Sequence, residues 1–263
     1  MREELRQAKR VIVKVGTSSL THANGRINID KMEVLVRQIC NLANAGKEMI
    51  LVSSGATATG LPSLGFTSRP DDIALKQAAA SVGQGILLHM YEKLFAEYGH
   101  TVGQILVTRE DTVKRSHYLN LRNTLTALIG LGVIPIINEN DTVSIEEFSI
   151  GDNDTLSALA GSLWNCDCLI ILSDIDGVFD KDPKNNEDAR LIELVEDVHE
   201  LKENIDIKGM SSFGTGGIAT KIDAAERIGK FGIPTVLING KIENAIGKAA
   251  RGKLRGTLFT GEE

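Results

Sequence analysis

Residues 11–20, VIVKVGTSSL, decide how the chain reads. The first half is a short β-branched run closed by glycine, the pattern of a strand buried on both faces. Lys14 stands inside that run, and Gly16, Thr17, Ser18 and Ser19 follow it at once. An ammonium in an apolar strand either snorkels from a sheet edge or is placed there for its charge. The flanking sequence has to decide between the two.

Working outward, similar apolar runs recur at 47–54 (KEMILVSS), 101–108 (TVGQILVT), 132–138 (GVIPIIN), 168–174 (CLIILSD), 233–239 (IPTVLIN) and 256–260 (GTLFT). Between them lie helical periodicities. Leu121, Leu125, Leu128 and Ile129 form one stripe, Leu156, Leu159, Ala160 and Leu163 another, and Ile218, Ile222, Ala225 and Ile228 a third. Strand–helix alternation at this spacing predicts βαβ units and an α/β fold with a largely parallel sheet. With 42% apolar residues but only 4% aromatic, the core must be aliphatic, which suits a sheet covered on both faces. GVIPIIN and GIPTVLIN read as two copies of one signal, glycine ending a helix and proline beginning a strand. The polar zone 181–216 is the softest part of the chain and a candidate lobe boundary within one domain.

The net charge is −6 and the basic residues are scattered, a poor arrangement for binding nucleic acid or an anionic membrane. The apolar stretch after the charged N-terminus is too short for a signal peptide, and no run reaches the length that spans a bilayer. Three cysteines in 263 residues fit reduced thiols in the cytoplasm. Cys166 and Cys168 open an apolar strand without a second ligand pair, so they read as structural rather than metal-binding.

No Walker A loop occurs. GTGGIA (214–219) matches a loose dinucleotide pattern but follows a polar loop rather than an early strand. DIDGVFDKD (174–182) carries its glycine fourth rather than sixth, which rejects an EF-hand. What remains is three Gly- and hydroxyl-rich turns, at 14–18, 53–56 and 214–217, the last leading into a helix that bears Lys221. Such turns present free N–H groups to anions. Any one is equally well a tight turn; three in an acidic chain, two with a lysine attached, point to an anionic ligand. The acidic counterpart is INENDTVSIEEFSIGDND (137–154), where Asn138, Glu139, Asn140 and Asp141 end a strand and Gly151, Asp152, Asn153 and Asp154 open a helix. Helix capping accounts for Asp152 but not for the whole set, and strand C-terminal ends are where open α/β sheets bind ligands. The five histidines lie outside these loops. Phosphoryl transfer to a carboxylate would not need one, because the acceptor is already ionised at neutral pH. It needs cations against the repulsion of two anions.

In order along the chain, VIVKVGTSSLT, VSSGATATG, KQAAASVGQ, GQILVTRED, LNLRNTL, VIPIINENDTVS, GDNDTLSALA, SDIDGVFDKDP and GTGGIATK resemble the amino acid kinase family, most closely the members acting on free glutamate. The resemblance implies a three-layer α/β/α sandwich with a largely parallel central sheet. It implies a single domain over 1–263, with a substrate lobe over roughly 1–165 and a nucleotide lobe over roughly 166–263. The activity it implies is ATP-dependent phosphorylation of the γ-carboxylate of L-glutamate to L-glutamyl 5-phosphate, the first step of proline biosynthesis, with ATP and Mg²⁺. Lys14 and Lys221 would stabilise the phosphoryl group in transit and Asp154 would orient both ammonium groups. Ser54, Asp141 and Asn153 would hold glutamate. Lys14, Ser173 and Asp174, together with Thr215, Gly216, Gly217, Ile218, Ala219, Thr220 and Lys221, would line the ATP site, and no protein cage for the metal is expected. Further implied partners are proline as feedback inhibitor, glutamate-5-semialdehyde dehydrogenase as recipient of the labile acyl phosphate, and further copies in a homo-oligomer. Kinases of the same fold for N-acetylglutamate, aspartate, carbamate or UMP are the alternatives, as is a non-catalytic amino-acid or nucleotide sensor. A free α-ammonium suits an acid such as Asp141, whereas N-acetylglutamate offers only a neutral amide. Ser173 stands where the family commonly has threonine, keeping the hydroxyl. Many glutamate-acting members continue into a C-terminal PUA domain; the expectation here is the kinase domain without it.

Overall fold

The computed structural model describes residues 2–144, 152–183, 185–204, 217–253 and 255–261. Two compact units emerge: Val15–Asn153, and Met1–Lys14 together with Asp154–Glu263. The chain enters through α1 (Arg2–Gln7) and β1 (Arg10–Val15). The Val15–Asn153 unit then runs α2 (Ile29–Asn44), β2 (Glu48–Val52), α3 (Ala56–Ser63), α4 (Ile73–Glu97), β3 (Val102–Val107), α5 (Arg109–Val113), α6 (Arg115–Gly130) and β4 (Ile134–Glu139). The remainder contributes α7 (Asn153–Trp164), β5 (Cys168–Ser173), β6 (Val178–Phe179), β7 (Leu191–Ile192), β8 (Leu194–Val195), α8 (Val198–Asn204), α9 (Ile218–Gly229), β9 (Thr235–Asn239), α10 (Ala245–Ala249) and β10 (Gly256–Phe259). Each apolar run read as a strand forms one, trimmed by one or two residues at one or both ends, except that β4 runs one residue beyond its expected end, to Glu139.

Within the Val15–Asn153 unit the strand order is β3-β4-β2, and both ladders are parallel. The other unit is ordered β1-β5-β9-β10-β8; β5–β9 and β10–β8 are parallel while β10 runs antiparallel to β9. A small β6–β7 ladder lies apart. In β1, β2, β4 and β5 nearly every residue is buried, whichever face it points to. That requires cover on both faces, as the aliphatic composition predicts. Ile218, Ile222, Ala225 and Ile228 of α9 are all buried, whereas in α6 only Leu125 is fully so. The glycine–proline signal is met differently in its two copies. Gly132 and Gly232 both take positive φ after a helix, but Pro135 is the second residue of β4 rather than its first. It is tolerated because the register with β2 begins only at Ile136, past the residue that has no N–H. All three cysteines are buried and none is in a disulfide; burial pushes the Cys166 thiol up to about 12, so it is a structural, unreactive side chain.

The small-residue stretches around 55–60 and 79–83 have a geometric reason. A Cβ on Gly60 would lie 1.8 Å from the Ala79 carbonyl oxygen, and one on Gly83 would lie 1.8 Å from that of Ala56. Helices α3 and α4 therefore touch backbone to backbone. Gly55, at φ 94°, turns the chain from β2 into α3 in a conformation a side chain would strain. Gly83→Ala is expected to force the helices apart and lower stability by about 1–3 kcal/mol, measured as a shift of the urea midpoint at unchanged slope.

Candidate active site

Strand β1 delivers Lys14 to its C-terminal end, 5% exposed. Helix α9 delivers Lys221 from its first turn, 6% exposed. Both reach one carboxylate. Lys14 Nζ lies 2.6 Å from Asp154 Oδ1, and Lys221 Nζ donates to Oδ2 at 3.1 Å. Thr220 Oγ1 gives the carboxylate its third contact, donating to Oδ2 at 2.8 Å, with the Gly217 carbonyl 2.9 Å from the same hydroxyl. Asp154 is completely buried at the N-terminal end of α7, where the helix dipole favours an anion. Burial pushes its carboxyl up, but the Lys14 and Lys221 ammonium groups, with hydrogen bonds from Lys14 and Thr220, outweigh it and hold the group below the ordinary 3.8.

One residue earlier, Asn153 turns to a different set of partners. Its Nδ2 donates to the Ser53 carbonyl at 2.5 Å, Ser54 Oγ at 2.8 Å and Asn138 Oδ1 at 2.9 Å. Asn138 Oδ1 also accepts from the Glu139 N–H at 2.9 Å, while Asn138 Nδ2 donates to Gln84 Oε1 at 2.8 Å. Ser53 Oγ pairs with the hydroxyl of fully buried Tyr91 at 2.9 Å, fixing the turn that carries Ser54. Asp141 follows β4 at the rim of a recess whose lining includes Gln84, Leu106, Glu139 and Asp141. Its carboxyl is raised to about 6, first by burial and then by neighbouring Glu139, against the pull of Arg69.

The structure therefore brings Lys14, Lys221, Asp154 and Thr220 together, and separately groups Ser54 and Asn153. Asp141 joins neither hydrogen-bonded set and lines the recess. Ser173 ends β5, buried, with its hydroxyl 3.4 Å from Asp174 Oδ1 and 3.5 Å from the Ile175 N–H. Gly217 caps α9, and Ile218 is buried behind it while Ala219 is half-buried. Thr215 and Gly216 lie outside the described residues. Sequence reasoning counted Ser53, Asn138 and Glu139 among its polar strand ends without giving them a role, and quoted Gln84 only as the last residue of KQAAASVGQ. Tyr91 it left out, since an aromatic residue inside a helix carries no signal.

The amino acid kinase family matches residues 9–239, nearly nine-tenths of the chain. The chain belongs to the amino acid kinase family. Within this family it is 52% identical over 250 residues to the glutamate 5-kinase of Caldanaerobacter subterraneus, covering 95% of this chain and 67% of that one. It is 50% identical over 256 residues to the glutamate 5-kinase of Clostridium acetobutylicum, covering 97% and 96%. Among solved structures, the carbamate kinase from Giardia lamblia bound to AMP-PNP superposes with a TM-score of 0.70 at 15% identity, covering 98% of this chain and 100% of that one. The UMP kinase from Ureaplasma parvum gives 0.66 at 18%, covering 96% and 99%. Those two likenesses establish the fold, the α/β architecture the sequence predicts.

Removing the carboxylate between two buried ammonium groups leaves them facing each other. Asp154→Asn is expected to lower stability by about 3–5 kcal/mol at neutral pH. Because the folded value lies below the unfolded one, the carboxylate's contribution is full above about pH 4 and is lost as pH falls through the lowered value. Urea unfolding of the two proteins from pH 7 down to pH 2 should show the difference shrinking only at the acid end.

Proposed function

We propose that this amino acid kinase transfers the γ-phosphoryl group of ATP to the γ-carboxylate of L-glutamate, giving L-glutamyl 5-phosphate, the step that opens proline biosynthesis. The observation that carries the chemistry is the pair of buried ammonium groups, Lys14 and Lys221, held by one buried carboxylate. The choice of substrate is supported by the relatives named glutamate 5-kinase.

A γ-carboxylate is ionised at neutral pH and attacks without a base. The barrier is the approach of two anions, and preorganised cations reduce it most where water is excluded. Lys14 and Lys221 are proposed to flank the phosphoryl group, with Asp154 fixing where each ammonium points. An aspartate with two oxygens already engaged by Lys14, Lys221 and Thr220 orients cations rather than binding a metal. Among the described residues no group of three His, Cys, Asp or Glu side chains could cage an ion. Mg²⁺ is therefore proposed to take its ligands from the nucleotide phosphates, where it neutralises charge. Ser173, Asp174 and the segment from Thr215 to Lys221 are proposed to hold ATP. Ser54, Asp141 and Asn153 are proposed to hold glutamate, Asp141 taking the α-ammonium. The product is a labile acyl phosphate, so a reductase such as glutamate-5-semialdehyde dehydrogenase is its proposed consumer. Proline is the proposed feedback ligand and a homo-oligomer the proposed assembly. Among the described residues no helix is long and apolar enough to cross a membrane; the cytoplasm is the proposed location.

Incubation with MgATP, hydroxylamine and in turn glutamate, N-acetylglutamate and aspartate tests the reading, with hydroxamate and ADP measured. Glutamate-dependent hydroxamate is expected; its absence would overturn the proposal. Lys14→Ala and Lys221→Ala should each lower kcat by about two to three orders of magnitude in a folded protein. Asp141 loses its charge as pH falls through about 6. The KM for glutamate should therefore climb below that pH, while in Asp141→Asn it should be high throughout and show no such limb.

A further inference from the structure

Gln84 belongs to α4, directly after the glycine that lets this helix touch α3. Its backbone is thus fixed against the turn that carries Ser54. Its side chain lines the recess with Glu139 and Asp141, half-buried.

Which end of its amide is already engaged follows from two groups whose roles cannot be reversed. The Glu139 backbone N–H can only donate, so the atom of Asn138 it meets, 2.9 Å away, is Oδ1. The Ser53 carbonyl can only accept, so the atom of Asn153 it meets is Nδ2, which in turn donates to that same Oδ1. Both anchors assign Asn138 the same way and turn its Nδ2 toward Gln84. Gln84 must then present Oε1 to Asn138, at 2.8 Å. Its Nε2 remains, a two-proton donor with no partner among the described residues.

A recess bordered by Glu139 and Asp141 attracts an ammonium group and repels a carboxylate. In an α-amino acid the two are bonded to the same carbon, so a site that takes one must offer a donor to the other. We infer that Gln84 determines specificity in this recess: Nε2 donates to the α-carboxylate of the amino-acid substrate, while Oε1 keeps Asn138, and through it Asn153, in place. This rests on the proposed phosphorylation of an amino acid and names a residue that selects for its free α-carboxylate.

The test compares glutamate with its α-amide, isoglutamine, which keeps the γ-carboxylate and ammonium and replaces the α-carboxylate by a carboxamide. Steady-state ADP release gives kcat/KM for each. Gln84→Glu retains an acceptor for Asn138 but puts an acceptor where Nε2 was. It should raise the KM for glutamate by roughly ten- to hundredfold, the worth of a hydrogen bond to a charged group. It should also turn the preference toward isoglutamine, whose carboxamide can donate to the new carboxylate, and leave the KM for ATP unchanged. Gln84→Met removes the amide without adding charge and should bring the two substrates close to parity. A variant that melts normally yet keeps the wild-type ratio overturns the inference, as does an equal loss for ATP, which would mark general disruption. Failure of the wild-type protein to phosphorylate glutamate overturns the functional reading instead.

Discussion

One buried carboxylate gathers the charged side chains of the candidate site. Asp154 receives Lys14 from a strand near the start of the chain and Lys221 from a helix near its end, and neither ammonium reaches solvent to any extent. As a source of stability such a cluster is a poor choice. Desolvating three charges costs several kcal/mol for each, and well-packed aliphatic side chains of similar volume commonly do as well or better. Its merit is geometric. Two cations that would repel each other in an apolar interior are held a short distance apart at fixed positions by one carboxylate, the arrangement on which the proposed phosphoryl transfer rests. The Thr220 hydroxyl and the N-terminal end of α7 support the same carboxylate, which keeps it ionised despite its burial.

The neighbouring residue shows how densely the sequence uses this point. Asn153 and Asp154 are joined by one peptide bond, yet Asn153 ties together the ends of β2 and β4 while Asp154 collects the lysines. Behind Asn153 lies a hydrogen-bonded chain through Asn138 to Gln84, and beside it Ser53 is held by Tyr91. Both supports come from α4, whose approach to α3 depends on two glycines with no room for a methyl group. Packing of small residues and orientation of polar ones are here a single constraint.

Much of this was legible in the linear chain. Lys14 in an apolar run, Gly- and Ser-rich strand ends and paired Asn/Asp clusters all signal a ligand without any structure, because the lysine and the free N–H groups suit an anion and the acids suit a cation. Gln84 gave no such signal, since an amide within a long helix is ordinary. Its contact with Asn138 appears only where α4 meets the end of β4. Nor does the composition around Asp141 reveal that its carboxyl titrates near 6, a value set by burial and by Glu139 acting through space.

By itself the sequence determined the alternation of strands and helices, the aliphatic core and the identity of the charged groups, because periodicity and residue type act locally. Only the tertiary structure decided which of those groups meet. Lys221 and Asp154 are 67 residues apart in the chain yet 3.1 Å apart in space. It also decided which end of the Asn138 and Gln84 amides is engaged. Hydrogen bonds and ion pairs are sensitive to tenths of an ångström, and no pattern along the chain specifies distances that fine.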